Sequence, residues 1–120
     1  MSNWVTKCED ALKTLGFPYD FERFTADTDC LPDTFLVYFL VDNPGRAWGD
    51  GLERAREPRV QVSLFYREPS TALTVPERVE NAMASVGFLR VGAGRIPYQT
   101  DTGHYGWRCD FRFYERRETE

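Results

Sequence analysis

The apolar run FLVYFLV at residues 35–41 constrains the fold more strongly than any other part of the chain. It contains seven consecutive β-prone residues and is bounded by Asp33 and by the turn-forming string DNPG at 42–45. A run of this length and composition is typical of a central strand that is buried on both faces. A packed core on one face and a neighbouring subunit on the other would produce this pattern.

Two helices are predicted from apolar spacing and stop signals. The first runs from about Asn3 to Leu15 and is stopped by Gly16. The second begins at the capping-box string TVPE, 74–77, and ends at Gly87. Their apolar faces are Trp4, Cys8, Ala11, Leu12 and Leu15 in the first helix, and Val75, Val79, Ala82, Met83 and Val86 in the second.

Alternation of apolar and polar residues predicts strands at 59–67 and 104–115, with a short strand at 88–91. The order is therefore α-β-β-α-β-β. We predict a single domain over residues 1–120 with an α+β fold, in which about four mostly antiparallel strands carry two helices packed on one face.

Three polar segments separate these elements. We expect residues 17–34 to form an irregular acidic link and residues 92–103 to form a turn-rich loop. Residues 42–58 are expected to form a long polar loop or a loosely formed hairpin. A loop of that length in a compact domain is more often functional than idle.

Charge and cysteine content argue against several classes of protein. Residues 1–58 carry 6 basic and 11 acidic groups, and residues 59–120 carry 9 basic and 8 acidic groups, so neither half has the basic excess of a nucleic-acid binder. No apolar run is long enough to cross a bilayer, and acidic residues stand where a signal peptide would be apolar. The three cysteines are far apart, which argues against a disulfide framework and a zinc site.

The sequence offers little catalytic chemistry, and we expect no catalytic residue, no metal and no cofactor. His104 is the one histidine, and we expect it on the surface at the end of a strand. The five carboxylates between residues 20 and 33 lack the spacing and the turn glycine of a calcium loop. The string Gly92-Ala93-Gly94 is not followed by the GK[ST] of a phosphate loop.

Partner contacts are predicted in the long loops, because loops on a rigid scaffold commonly carry function. Trp48 lies in the string AWGDG, away from any periodic apolar face, and arginines stand on both sides of it. A tryptophan flanked by arginine is typical of an interface anchor. The candidate partner-binding residues are Arg46, Trp48, Arg54 and Arg56 in the first loop and Tyr98 in the second.

Four strings point to a known family. They are LPDTFLVYFLV at 31–41, LFYR at 64–67, VGF at 86–88 and DTGHYGWRCDFRFYE at 101–115. They resemble the apolar Leu-Pro strand, the "LFTK"-like strand end, the "AGF" helix end and the "ETGxYxxxFxFxI" strand of the tail terminator, or tail completion, proteins of long-tailed bacteriophages, a group that includes proteins joining tail to head. The resemblance covers roughly residues 31–116. The string GRAW at 45–48 departs from it, because family members usually have a short turn there with a small or acidic cluster.

The resemblance implies a structural virion protein, made in the host cytoplasm and carried in the tail at the head–tail interface. Proteins of this family assemble as closed rings, usually hexamers, that cap the tail tube, fix its length and present a surface to the head. The implied partners are therefore other copies of the chain, the tail tube protein and the head connector proteins, with no membrane and no sequence-specific nucleic acid.

A ring needs two different patches on each subunit. We hypothesise that the acidic first half and the arginine-containing second half supply them, with Asp27 and Asp29 at the subunit interface.

Two other functions stay open. The chain could be a ferredoxin-like binding module that recognises a peptide, a small ligand or RNA, and an exposed Trp48 beside a small pocket would favour that function. It could also be a small enzyme that uses His104 with a nearby carboxylate.

Overall fold

A computed structural model describes residues 3–24, 30–42, 45–49 and 52–116. A 3₁₀ helix over Pro69–Leu73 precedes the second α-helix. The helices are α1 (Asn3–Lys13) and α2 (Val75–Ser85), and the strands are β1 (Tyr19–Phe21), β2 (Thr34–Asp42), β3 (Gly45–Gly49), β4 (Leu52–Arg56), β5 (Arg59–Tyr66), β6 (Phe88–Gln99), β7 (His104–Phe113) and β8 (Glu115–Arg116).

The main sheet has five strands in the order β1-β2-β5-β7-β6. The pair β1–β2 is parallel, and the other neighbouring pairs are antiparallel. A smaller sheet has the order β3-β4-β8. The predicted α+β class with two helices is therefore confirmed, whereas the predicted four strands and the order α-β-β-α-β-β match only roughly.

The differences from the predicted order have local causes. β1 is only three residues long, too short to show alternation, and it lies in the segment expected to be irregular. It is held against β2 by backbone bonds from Leu36 N to the Pro18 carbonyl and from Glu22 N to the Tyr38 carbonyl. Within the segment 42–58, Gly45–Gly49 and Leu52–Arg56 pair as the antiparallel strands of the hairpin β3–β4.

β6 extends through most of the segment expected to be a loop, and it ends at Gln99. Glycine and proline favour turns in sequence, but an edge strand tolerates both because one of its sides needs no ladder bonds. β6 lies at the edge of the sheet, and its register with β7 shifts between Arg90 and Gly92 and between Ile96 and Gln99. The turn-rich part is reduced to residues 100–103.

The hydrophobic core contains residues of both helices and of one face of the main sheet. The alternation of β5 places its even-numbered residues in the core, as the sequence predicts. The core members are Trp4, Cys8, Ala11, Leu12 and Leu15 from the first helical region, Val75, Val79 and Met83 from α2, and Leu36, Tyr38, Val60, Val62, Leu64, Tyr66, Phe88, Cys109, Phe111 and Phe113 from the strands.

The hairpin β3–β4 continues the ribbon that β2 and β5 form in the main sheet. Its strand β4 also pairs with β8, which follows β7 in the chain. The Cα atoms span 52 × 26 × 23 Å, so the molecule is about twice as long as it is wide.

Candidate functional site

The main sheet has a second face, opposite the core, which we call the outer face. It is formed by the residues that alternate with the core positions of β2, β5 and β7. In register, Phe35 is paired with Phe65, and Val37 with Ser63. The outer face continues onto β7, where the cross-strand pairs are Ser63–Arg108, Gln61–Asp110 and Arg59–Arg112.

An apolar groove of about 430 Å³ lies on the outer face over β2 and β5. The rings of Phe24 and Phe35 are 4.7 Å apart, and those of Phe35 and Phe65 are stacked at 5.1 Å. Phe35 and Val37 are buried, whereas Phe39 and Phe65 are only partly buried. β2 is therefore apolar on both faces, as the run at 35–41 predicts, and the groove leaves part of its outer face open.

His104 closes the polar end of this groove, and the expectation of a surface histidine was wrong. Its side chain is 1 % exposed, and its ring packs edge-on against Phe35. Nε2 lies 2.9 Å from the Pro32 carbonyl oxygen and Nδ1 lies 2.9 Å from Thr102 Oγ1. Because a carbonyl only accepts, Nε2 carries a proton, so both ring nitrogens are engaged within the subunit.

Arg67 also stabilises this end of the groove, because it donates hydrogen bonds to both chain segments that form it. Its Nε donates to the Thr102 carbonyl at 3.0 Å, and its Nη1 donates to the Leu31 carbonyl at 3.2 Å and to Asp33 Oδ1 at 2.8 Å. The sequence assigned Arg67 only to the polar face of a strand. These bonds join the segment before β2 to the turn before β7, and they explain how a polar link comes to bury His104.

Ser63 is a buried polar side chain in the floor of the groove, 5 % exposed. Its hydroxyl oxygen accepts a bond of 3.4 Å from Gln61 Nε2. A hydroxyl can also donate one hydrogen bond. The groove therefore combines aromatic walls with a hydroxyl at its floor.

Three arginines form a second cluster on the outer face, which we call the arginine patch: Arg59, Arg108 and Arg112. Asp110 Oδ2 lies 3.3 Å from Arg59 Nη2, and Asp110 Oδ1 lies 3.5 Å from Arg108 Nη1. Arg112 Nη1 lies 3.6 Å from Glu57 Oε1. The sequence placed these arginines on the polar faces of two strands, but only the register brings them together.

Four of the predicted partner-binding residues lie in the hairpin β3–β4. Trp48 is paired in register with Glu53, Arg46 with Ala55, and Arg56 with Gly45, and Arg54 lies between the paired positions of β4. The hairpin therefore gathers these four positions into one short two-stranded element. Asp27 and Asp29, predicted at a subunit interface, lie outside the described residues.

Tyr98 does not join them, because it lies on β6 in the main sheet. Its side chain is 50 % exposed, and its ring lies 4.8 Å from that of Tyr105. A pocket of about 360 Å³ beside it is also lined by Arg95, Pro97 and Gly106. The prediction thus covers two separate places on the molecule.

Three ionisable groups of the core, Cys8, Tyr38 and Cys109, are held in their neutral forms. Burial raises the pKa of the Cys8 thiol, and the neighbouring Glu9 raises it further. Burial also raises the pKa of Tyr38, whose hydroxyl donates a hydrogen bond to the Glu9 carboxylate. Burial raises the pKa of Cys109 to about 11. Buried neutral thiols are unreactive.

Two features are absent from the described residues. Within the described ranges, no group of three or more His, Cys, Asp or Glu side chains could hold a metal ion. Across the same residues, no helix is both long and apolar enough to span a bilayer. In comparisons with known proteins, no family model matches the chain and no curated protein is significantly similar to it.

Proposed function

We propose that the chain is a structural subunit of a long-tailed phage virion. In this proposal it forms a ring that caps the tail tube, fixes tail length and joins the tail to the head, without catalysis or a cofactor. Its two helices cover one face of the sheet, and the other face is left for a partner.

The observation that carries this proposal is the open apolar groove on the outer face of β2. Monomeric proteins rarely expose contiguous apolar surface unless it meets a partner. Here β2 is apolar on both sides, the core covers one side, and the rings of Phe39 and Phe65 stay partly accessible on the other. A neighbouring subunit of the ring would cover them.

The hairpin β3–β4 is the proposed contact with the tail tube and the head connector. It holds Arg46, Trp48, Arg54 and Arg56 on one element that continues beyond the main sheet. Tryptophan and arginine are the residues most often found to dominate binding energy at interfaces. An element outside the main sheet can meet a second protein while the outer face meets a second subunit.

The state of His104 supports a structural role over the enzyme alternative. A general acid or base must reach its substrate by hydrogen bond. Both nitrogens of the His104 ring are taken by Pro32 and Thr102, and the side chain is buried. The geometry favours a residue that fastens the segment before β2 over one that transfers protons.

The test is electron microscopy of particles from a lysate that lacks this gene. Overlong tubes separated from full heads are expected for a terminator, and tubes of normal length unattached to heads are expected for a joining protein. Expression of the wild-type chain from a plasmid is the control and should restore complete particles. Intact, infectious particles without the gene would refute the proposal.

A binding module that takes a small ligand is the second candidate. The groove favours it, because its volume of about 430 Å³ falls in the usual range of ligand pockets and a few polar groups line its end. A module of this kind should be monomeric at all concentrations, and ligand should raise its melting temperature. The substitution Ser63→Ala should weaken such binding, whereas a change at the remote exposed Leu73 should not.

A further inference from the structure

We infer that the arginine patch of one copy binds the acidic β1 edge of a second copy. This inference deepens the proposed function and rests on it for the ring. It names the residues on both sides of a contact between subunits: Arg59, Arg108 and Arg112 on one, and Asp20 and Glu22 on the other.

The arginine patch presents most of its hydrogen-bond donors to the outside. The three side chains are 44 %, 40 % and 48 % exposed, whereas Asp110 between them is only 14 % exposed. Each guanidinium has five N–H groups, and within the described residues each lies near one carboxylate. The carboxylates are less exposed than the guanidinium groups, whose remaining N–H donors have the planar geometry that pairs with carboxylates.

The positions of these arginines are unfavourable for an isolated subunit. Arg59 and Arg112 are direct cross-strand partners, and like charges directly opposite each other destabilise a sheet. Asp110 lies beside Arg59 and Glu57 lies beside Arg112, and each carboxylate offsets part of the repulsion between the two arginines. A carboxylate from outside, placed between the two guanidinium groups, would remove the remaining repulsion.

The surface beside the patch is shaped for close approach. Gly94 on β6 lies opposite Arg108 on β7, and a Cβ at Gly94 would be 3.1 Å from Arg108 Nη2. Gly92 has open space above it, with no atom within 4 Å of a Cβ. Leu89, the register partner of Arg112, is exposed. The arginine patch is therefore bordered on β6 by two glycines and by one exposed apolar side chain.

The complementary surface is at the opposite edge of the sheet. Residues 20–33 contain five acidic residues and one arginine. Among them, Asp20 lies on the edge strand β1, and the exposed Glu22 follows it beside Tyr38 of β2, whereas Asp33 lies at the start of β2 and pairs with Arg67. No strand pairs with the free side of β1 within the described part of the chain.

The order of the strands separates the two surfaces. The acidic edge is at β1, the arginine patch is on β5 and β7, and the groove lies between them. Two different patches on one subunit make a heterologous contact, which propagates from copy to copy and gives a ring when the rotation between copies closes. A second copy docked in this way also lies against the groove and covers its apolar walls.

The experiment uses charge reversal and mixing of the full-length protein. Variant A carries Arg108→Glu and Arg112→Glu, and variant B carries Asp20→Arg and Glu22→Arg. Sedimentation velocity measures association of each protein alone and of the two mixed. Arg90→Glu is the matched control, because Arg90 is also an exposed β6–β7 arginine but pairs with Glu80 on α2.

We expect the wild-type chain and Arg90→Glu to associate, and variants A and B to stay monomeric when alone. Mixing A with B should restore association, because every contact then joins acidic to basic surfaces. Restoration also shows that both variants are folded. Raising NaCl from about 0.05 M to about 0.5 M should weaken wild-type association at least about tenfold, since salt shortens the range of electrostatic attraction.

Three results would overturn the inference: a wild-type chain that stays monomeric to millimolar concentration, association by variant A alone, or no association in the mixture. Binding of a random DNA duplex by a monomeric wild-type chain, lost in variant A, would instead assign the patch to phosphates. Failure of the proposed function is a separate result, because it shows as intact particles without the gene. Charge-dependent association with intact particles would keep the contact and remove the phage function.

Discussion

The lack of a side chain at Gly106 lets β6 and β7 lie close together. A Cβ built at this position would lie 2.6 Å from the Cβ of Ile96 on the neighbouring strand. That atom is attached to the backbone and cannot rotate away, unlike the tip of a long side chain. The absence of a side chain at Gly106 is therefore a packing requirement.

We predict that Gly106→Ala lowers the free energy of unfolding by about 1–3 kcal/mol, because the strands must separate or shift. Gly92→Ala is the matched control on the same edge strand, where a Cβ meets no atom within 4 Å. It should leave stability unchanged or raise it by up to about 1 kcal/mol. Urea denaturation measures both, and equal losses in the two variants would contradict the packing argument.

The buried thiols predict how stability responds to alkaline pH. The pKa of Cys109 is raised from 9.0 to about 11, mainly by burial and also by the nearby Glu80, while Arg90 opposes the rise. The folded chain holds this proton more tightly than the unfolded chain. The contribution to stability is therefore complete below pH 9.0 and is lost as the pH rises towards about 11.

We predict that the free energy of unfolding falls between pH 9.0 and about 11, and that Cys109→Ala makes the fall shallower. The exposed Cys30 supplies the control, since Cys30→Ala should leave the slope as it is. In the native state at neutral pH, a thiol reagent should label Cys30 and leave Cys8 and Cys109 unlabelled. Rapid labelling of all three would show that the core opens.

At the scale of elements, the ribbon β2–β5 has two parts with different roles. Its inner part holds the core positions Leu36, Tyr38, Val60, Val62 and Leu64. Its outer part is the hairpin β3–β4, which belongs to the smaller sheet. The inner part stabilises the subunit, and the outer part is the proposed partner contact.

We predict that replacing residues 45–56 by Asn-Gly leaves the fold intact and abolishes attachment to the tail. Shortening a connection changes the free energy of unfolding little, so the loss should be within about 1 kcal/mol. Trp48→Ala is the matched point variant and should weaken partner binding by about 2 kcal/mol. Stability is read from urea denaturation and attachment from complementation of the gene deletion; full complementation by the shortened chain would exclude the hairpin as the contact.

At the scale of the whole molecule, the charge is divided along the chain and across the sheet. The first 58 residues carry a net charge of −5 and the remainder +1. In the fold, the acidic edge at β1 and the arginine patch lie on opposite sides of the groove. The molecule can therefore meet copies of itself through two unlike surfaces.

We predict that Asp27→Lys with Asp29→Lys weakens ring formation, because it reverses two charges of the acidic segment. Glu118→Lys with Glu120→Lys changes the net charge by the same amount and should not affect assembly. Sedimentation velocity of the two purified variants makes the comparison. Unchanged assembly of the Asp27 and Asp29 variant would remove these two residues from the interface.

The α+β class, the two helices and the alternation of β5 and β7 could be predicted from sequence. These features depend on local periodicity, which apolar spacing within one element reports directly. The double-sided burial of β2 was predictable for the same reason, since an unbroken apolar run leaves no polar face. The mixed sheet was not, because the three residues of β1 are too few to show a pattern.

The arrangement of the candidate site could not be predicted from the sequence, because it depends on contacts between distant parts of the chain. The burial of His104 follows from Arg67 holding Leu31 and Asp33 over the sheet, a contact between residues more than thirty positions apart. The arginine patch exists because the register sets Arg59 opposite Arg112. No local pattern encodes a register between distant strands, which is chosen by the packing of the whole sheet against its core. The sequence therefore determined which residues are apolar or charged, and the fold decided which of them meet.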